Sequence, residues 1–142
     1  MRERVALIDQ TSFSKFRISG PGALDLLQYL AVSNIDKPIG KIIYTQFLNS
    51  RGGIEADLTI SRTGEEEFYI VTGSAFGVHD RSWIEKHSPR DGSVVIDDLT
   101  EEFGVINLCG PHSRDVLQNV TDDDISNETL PFSSYADIRV AG

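Results

Sequence analysis

Two stretches of this sequence repeat each other, and that repeat limits the fold more than any other feature. FRISGPGALDLLQYL begins at Phe16 and VINLCGPHSRDVLQNV at Val105. Gly20-Pro21 recurs as Gly110-Pro111, Asp25 as Asp115 and Leu27-Gln28 as Leu117-Gln118, each pair 90 positions apart. In both copies a short β-rich run meets Gly-Pro and then a helical pattern. Glycine permits the turn after a strand. Proline suits the first turn of a helix, where its missing N–H would be unpaired anyway. Leu24, Leu27 and Leu30 share one helical face, as do Val116, Leu117 and Val120. A further short strand precedes each copy, VALID before the first and VVIDDL before the second. Each unit therefore opens β-β-α.

Beyond the first helix the pattern changes period. After a loop from Asn34 to Gly40, the runs IIYTQFL, GGIEADLTIS and EFYIVTG read as three strands of an antiparallel meander. Their turns fall at Asn49 to Gly53 and Arg62 to Glu66. A helix is expected over Ala75 to His87, with Phe76, His79, Trp83 and Ile84 inward, ended by Pro89 and Gly92. The full unit is β-β-α-β-β-β-α, an α+β plan. The first copy covers about residues 1–90 and the second opens at about residue 91. The second copy has one more strand-like run, SYADIRV, and is expected to be truncated, which makes the chain a fragment of something longer. An unpaired strand edge near the C-terminus invites self-association.

Charge and composition exclude some functions. Thirteen basic residues face 22 acidic ones, for a net charge of −9. Lys/Arg clustering is absent, so nucleic acid is not an expected partner. No apolar run approaches the roughly 20 residues of a membrane span, so no membrane role is expected, and no signal peptide is read at the N-terminus. A single cysteine, Cys109, allows no internal disulfide and suits a reducing compartment. Its apolar run, VINLC, points to a small buried hydrophobe. Gly20-Pro21-Gly22 lacks the third glycine of a dinucleotide loop. His79, His87 and His112 lack the spacing of a helical metal site, so no metal is expected.

One residue is out of place by propensity. Strands disfavour Asp, yet Asp57 sits inside GGIEADLTI. Ile54, Ala56, Leu58 and Ile60 share one face of that strand, and Glu55, Asp57, Thr59 and Ser61 the other. The pattern alone leaves two readings. Either the polar face is merely wet, or it floors a pocket in which a fixed carboxylate holds a protonated amine or an iminium cation. Tyr44, on the preceding strand, could wall such a pocket for a flat heterocycle.

Several elements together resemble the tetrahydrofolate-binding aminomethyltransferase family, whose type member is the T protein of the glycine cleavage system. They are Arg2 with Asp9, Lys41-Ile42-Ile43-Tyr44, Phe47-Leu48-Asn49, Gly52-Gly53-x-x-x-Asp57-Leu58, Asp80-x-x-Trp83-Ile84 and Gly110-Pro111. IDQTSFSKF, VTGSAFGVHDRSWI and INLCGPHSRDVLQ resemble one branch more closely, the C-terminal region of dimethylglycine and sarcosine dehydrogenase-like flavoproteins. There a separate FAD domain oxidises a methylamine donor and the folate domain captures the one-carbon unit. The resemblance implies a folate-binding aminomethyltransferase fold with tetrahydrofolate as cofactor and FAD only outside this chain. It implies Asp57 as the catalytic carboxylate that orients amine and folate, Tyr44 beside the folate, and Phe13 lining the pocket. Where the family has an Asn after its Val-Val strand, this chain has Gly73. Cytoplasm or mitochondrial matrix is the expected compartment. The competing expectation is a regulatory or interaction module that kept the fold without transfer.

Overall fold

The Gly-Pro turn is where strand gives way to helix. In the computed structural model, which describes residues 1–141, β2 (Ser14–Ser19) ends at Gly20 with φ of 108°. Only glycine takes that conformation readily, and a Cβ there would lie 2.5 Å from the Ser93 carbonyl oxygen. α1 (Ala23–Leu30) follows and buries Ala23, Leu26, Leu27 and Leu30. The other elements are β1 (Ala6–Asp9), β3 (Ile42–Leu48), β4 (Ile54–Arg62), β5 (Glu67–Thr72) and a 3-10 turn at Ser74–Phe76. After them come α2 (Gly77–His87), β6 (Val95–Asp98), β7 (Ile106–Cys109) and α3 (Ser113–Gln118).

Five strands form an antiparallel sheet in the order β3-β4-β5-β2-β6, and β1 pairs with β7 in a second, two-stranded sheet. The core holds one face of the large sheet, with Phe16, Ile18, Phe47, Leu58, Ile60, Phe68 and Ile70, together with the buried residues of α1 and Ile84 of α2. Strand alternation places Ala56, Leu58 and Ile60 inside and leaves the Glu55–Ser61 polar face outside the core. The meander and its two turns lie where the hydrophobic pattern puts them.

The two sheets exchange strands between the repeated segments. β2 pairs with β6 and β1 pairs with β7, with Ser19 opposite Val95 and Ala6 opposite Cys109. Local hydrogen bonds recur in the same way. The Thr11 amide donates to Asp9 Oδ1 at 2.8 Å and the Thr100 amide to Asp98 Oδ1 at 3.0 Å. Gln10 N–H donates to the Val105 carbonyl, and Leu99 N–H to that of Lys15, both at 2.8 Å. Gln28 Oε1 accepts from the Ile35 amide at 2.9 Å, and Gln118 Oε1 from that of Ile125 at 3.4 Å. Equal sequence makes equal local bonds, and the crossed pairing binds the two segments together.

Four expectations need correction. In α2, Ile84 is buried and Trp83 packs against the core as expected, but Phe76 precedes the helix and is exposed, and the His79 side chain is half exposed; the fully buried face is Gly77, Asp80 and Ile84. Phe76 and His79 lose that face because Gly77 sits hard against Ser14, where no side chain fits. SYADIRV forms no strand: Ser134 makes one isolated bridge to Lys41, and the run otherwise lacks a pairing partner. α3 stops before Val120, and Val116 and Val120 are exposed while Leu117 is half-buried, since no sheet face covers that helix as the large sheet covers α1. Cys109 is half-buried rather than in the core, its Sγ 3.1 Å from Met1 Sδ, because its two-stranded sheet is too narrow to enclose it. No helix among the described residues is long and apolar enough to cross a membrane.

Candidate functional site

β5 stops too early to cover β4. Its last residue, Thr72, is opposite Leu58, so Ile54 to Asp57 run on with β3 on one side and no strand on the other. That is the local reason a carboxylate is tolerated inside a strand. The space beyond the end of β5 is an open cavity of about 380 Å³, lined by residues 54–57 with Thr72, Gly73, Phe76 and Asp80. Such a volume is within the usual range for small-molecule sites, about 300–1,000 Å³. A wider hollow of about 900 Å³ lies between the loop after α3 and the C-terminal segment, but it holds none of Asp57, Tyr44 and Phe13.

Asp57 is exposed yet fixed. Tyr44 Oη donates to its Oδ2 at 2.9 Å, and Gln46 Nε2 donates to its Oδ1 at 3.1 Å. Gln46 is the direct cross-strand neighbour of Asp57, and Tyr44 lies two residues along on the same face of β3. The hydrogen bond to Asp57 raises the Tyr44 phenol above its ordinary range, so Tyr44 remains a donor at neutral pH. The residue is 64% exposed, its ring a flat apolar surface beside a carboxylate. Tyr44 and Asp57 are thus brought together, though of the two only Asp57 lines the cavity. Phe13 is half-buried just before β2, and its side chain is not part of the cavity lining.

A chain of hydrogen bonds frames the cavity. Thr72 Oγ1 donates to Asp80 Oδ2 at 2.5 Å, and His79 Nδ1 lies 3.0 Å from Asp80 Oδ1. His79 Nε2 lies 3.3 Å from Glu55 Oε2, and Glu55 Oε1 accepts from Asn49 Nδ2 at 2.8 Å. Asn49 in turn accepts the Arg51 and Gly53 amides, each at 2.9 Å, which closes the β3–β4 turn. α2 is therefore tied to the tip of the β3–β4 hairpin through one imidazole. Gln46, Glu55, Thr72, His79 and Asp80 were not singled out from the sequence as site residues. The signal for Asp80 is its i+3 spacing from Gly77 and the i+4 step on to Ile84, which puts it on the buried stripe of α2. Among the described residues, no group of three or more His, Cys, Asp or Glu side chains could hold a metal ion.

His79 carries the pH dependence of this frame. Its hydrogen bond to Asp80, first, and the nearby Glu55 charge raise its pKa above the ordinary value. Both ring nitrogens can donate only when the imidazole is protonated. The raised pKa means that the bridge contributes stability in full below the unfolded value of about 6.5 and loses it as pH rises through the folded value. An NMR titration is expected to show His79 titrating above that ordinary value, and Asp80→Asn is expected to move it back down. A His79 midpoint unmoved by Asp80→Asn would remove the bridge from the account.

Comparisons with known proteins agree with this fold. The family model described as "GCVT N-terminal domain" matches residues 1–142. The chain is 37% identical over 122 residues to the mitochondrial pyruvate dehydrogenase phosphatase regulatory subunit of Mus musculus, covering 84% of this chain and 14% of that protein. It is 36% identical over 140 residues to the mitochondrial dimethylglycine dehydrogenase of Rattus norvegicus, covering 98% of this chain and 16% of that protein. It therefore spans about a sixth of the length of these relatives. The crystal structure of glycine cleavage system aminomethyltransferase T from Bartonella henselae superposes with a TM-score of 0.75 at 28% identity, covering 83% of this chain and 32% of that one. The chain belongs to the glycine cleavage T protein N-terminal domain family.

Proposed function

We propose that this domain transfers a one-carbon unit from a methylamine-derived cation to tetrahydrofolate, as part of a longer FAD-linked dehydrogenase of the dimethylglycine and sarcosine type. The observation that carries the reading is the Asp57 carboxylate, held by Tyr44 and Gln46 on the lining of an open cavity. The recurring hydrogen bonds and crossed strand pairing support a duplicated β-β-α-β-β-β-α unit, whose second copy is represented by β6, β7 and α3. Relatives named as dehydrogenases and an aminomethyltransferase support the reaction class.

The residues fit a reduced pterin. Asp57 and Glu55 line the cavity and supply acceptors for its N–H groups, the exposed Tyr44 ring offers a flat face beside Asp57 though outside the cavity lining, and the cavity is sized for the head of the molecule. When bound, tetrahydrofolate supplies the nucleophilic nitrogens that take up the one-carbon unit. The protein's part is positional and electrostatic. Asp57 sets a fixed negative charge where the cationic donor must lie, and it aligns the acceptor nitrogen by hydrogen bonding. Tyr44 and Gln46 hold both carboxylate oxygens, so little reorganisation accompanies the reaction.

Isothermal calorimetry of tetrahydrofolate with the full-length parent, under reducing conditions, tests the reading. Binding is expected, and Tyr44→Ala is expected to weaken it. A folded parent that gives no binding heat would instead favour a regulatory domain. That second reading is supported by the 37% identity to a phosphatase regulatory subunit.

A further inference from the structure

We infer that the Thr72 hydroxyl oxygen accepts a hydrogen bond from an N–H group of the ligand in the Asp57 cavity, and that Asp80 is the positioning residue that gives Thr72 this polarity. The inference rests on the functional reading above and adds to it a recognition rule.

Thr72 ends β5 and is 3% exposed, and Asp80 on α2 is 1% exposed. A threonine hydroxyl has one hydrogen to give and lone pairs to receive with. The hydrogen of Thr72 is committed to Asp80 Oδ2. A carboxylate cannot return it, since it only accepts. The other Asp80 oxygen is engaged by His79 Nδ1, which stops the carboxylate from turning away. Thr72 therefore has only an acceptor left, and Thr72 lines the cavity with Asp57 and Glu55.

Gly73, next to Thr72, also lines the cavity. Its φ of −63° and ψ of 138° suit any residue, and a Cβ there would meet only the Phe76 ring at 3.6 Å, an ordinary contact. The backbone does not demand glycine at this position, so its effect is on access to the cavity. Thr72 is on the buried face of the sheet, opposite Leu58, and Asp57 is on the other face, so the acceptor-only Thr72 oxygen by itself selects a ligand N–H and disfavours a lone pair on its side of the cavity. Thr72 itself is buried, so a ligand that presents a lone pair there leaves its oxygen unpaired and binds less well.

The test is a double-mutant cycle on tetrahydrofolate affinity in the full-length parent, with melting temperatures measured alongside. Thr72→Val keeps the β-branched shape and removes the oxygen; it is expected to weaken binding about tenfold or more. Thr72→Ser is expected to restore it. In Asp80→Asn the new amide can donate to Thr72, turning the hydroxyl proton toward the cavity, so binding should weaken there too. Combined with Thr72→Val, Asp80→Asn should add little further loss, because both changes remove one interaction. Wild-type affinity in Thr72→Val, or losses that simply add, would overturn the acceptor role and leave the functional reading intact. A wild-type parent that binds no tetrahydrofolate overturns both.

Discussion

Asp57→Asn in the full-length parent is expected to lower one-carbon transfer by about 10²- to 10³-fold, the usual effect of removing one preorganised electrostatic contact. The substitution keeps the size of the side chain and removes the charge. It also leaves the local network repairable. Tyr44 Oη can still donate to the amide oxygen, and the Gln46 amide can turn to accept from the new Nδ2. Because Asp57 is exposed, the fold loses little, and the melting temperature should barely change. Single-turnover formation of methylenetetrahydrofolate separates this from a binding defect. Unchanged transfer would remove Asp57 from the reaction. Lost transfer with a lowered melting temperature would make the effect structural.

The second large effect is on stability. Gly20→Ala is expected to destabilise the domain by about 3 kcal/mol or more, from strain at positive φ together with overpacking against backbone. The φ of 108° disfavours any Cβ, and that Cβ would lie 2.5 Å from the Ser93 carbonyl oxygen. This oxygen cannot move freely, because it accepts the Gly22 amide at 3.0 Å at the start of α1. Gly52→Ala is the control. Gly52 also has positive φ, 78°, but a Cβ there would meet nothing within 4 Å, so only strain of about 1–2 kcal/mol is expected. Urea denaturation of both variants measures the difference. Equal losses would mean that close packing at the Gly-Pro turn does not matter to the fold.

Much of this was readable residue by residue. The meander followed from period-two alternation, because a sheet with one buried face forces it. Asp57 was conspicuous because it broke strand propensity, and Tyr44 fell beside it because neighbouring antiparallel strands bring alternate residues into line. Phe13 was less legible. It lies outside a paired strand, where no alternation says which way a side chain goes. α2 misled for a related reason. Its sequence offers Phe76, His79, Trp83 and Ile84 as one inward face; Ile84 is buried and Trp83 packs against the core, but Gly77 is the point of closest approach, and Asp80 takes the inward place expected of Phe76 and His79. Nothing in the spacing announces that a carboxylate will be buried there.

The sequence by itself determined the local vocabulary: two Gly-Pro turns, the strands and helices around them, and a polar face on β4. Those follow from interactions between residues near in sequence, where propensity and periodicity act. Tertiary structure alone decided that β2 takes β6 and β1 takes β7, that β5 ends one step short of Asp57, and that Asp80 reaches Thr72. Each of these depends on how far one packed element extends against another. Such distances are set by the close packing of the whole core and are not written at any single position.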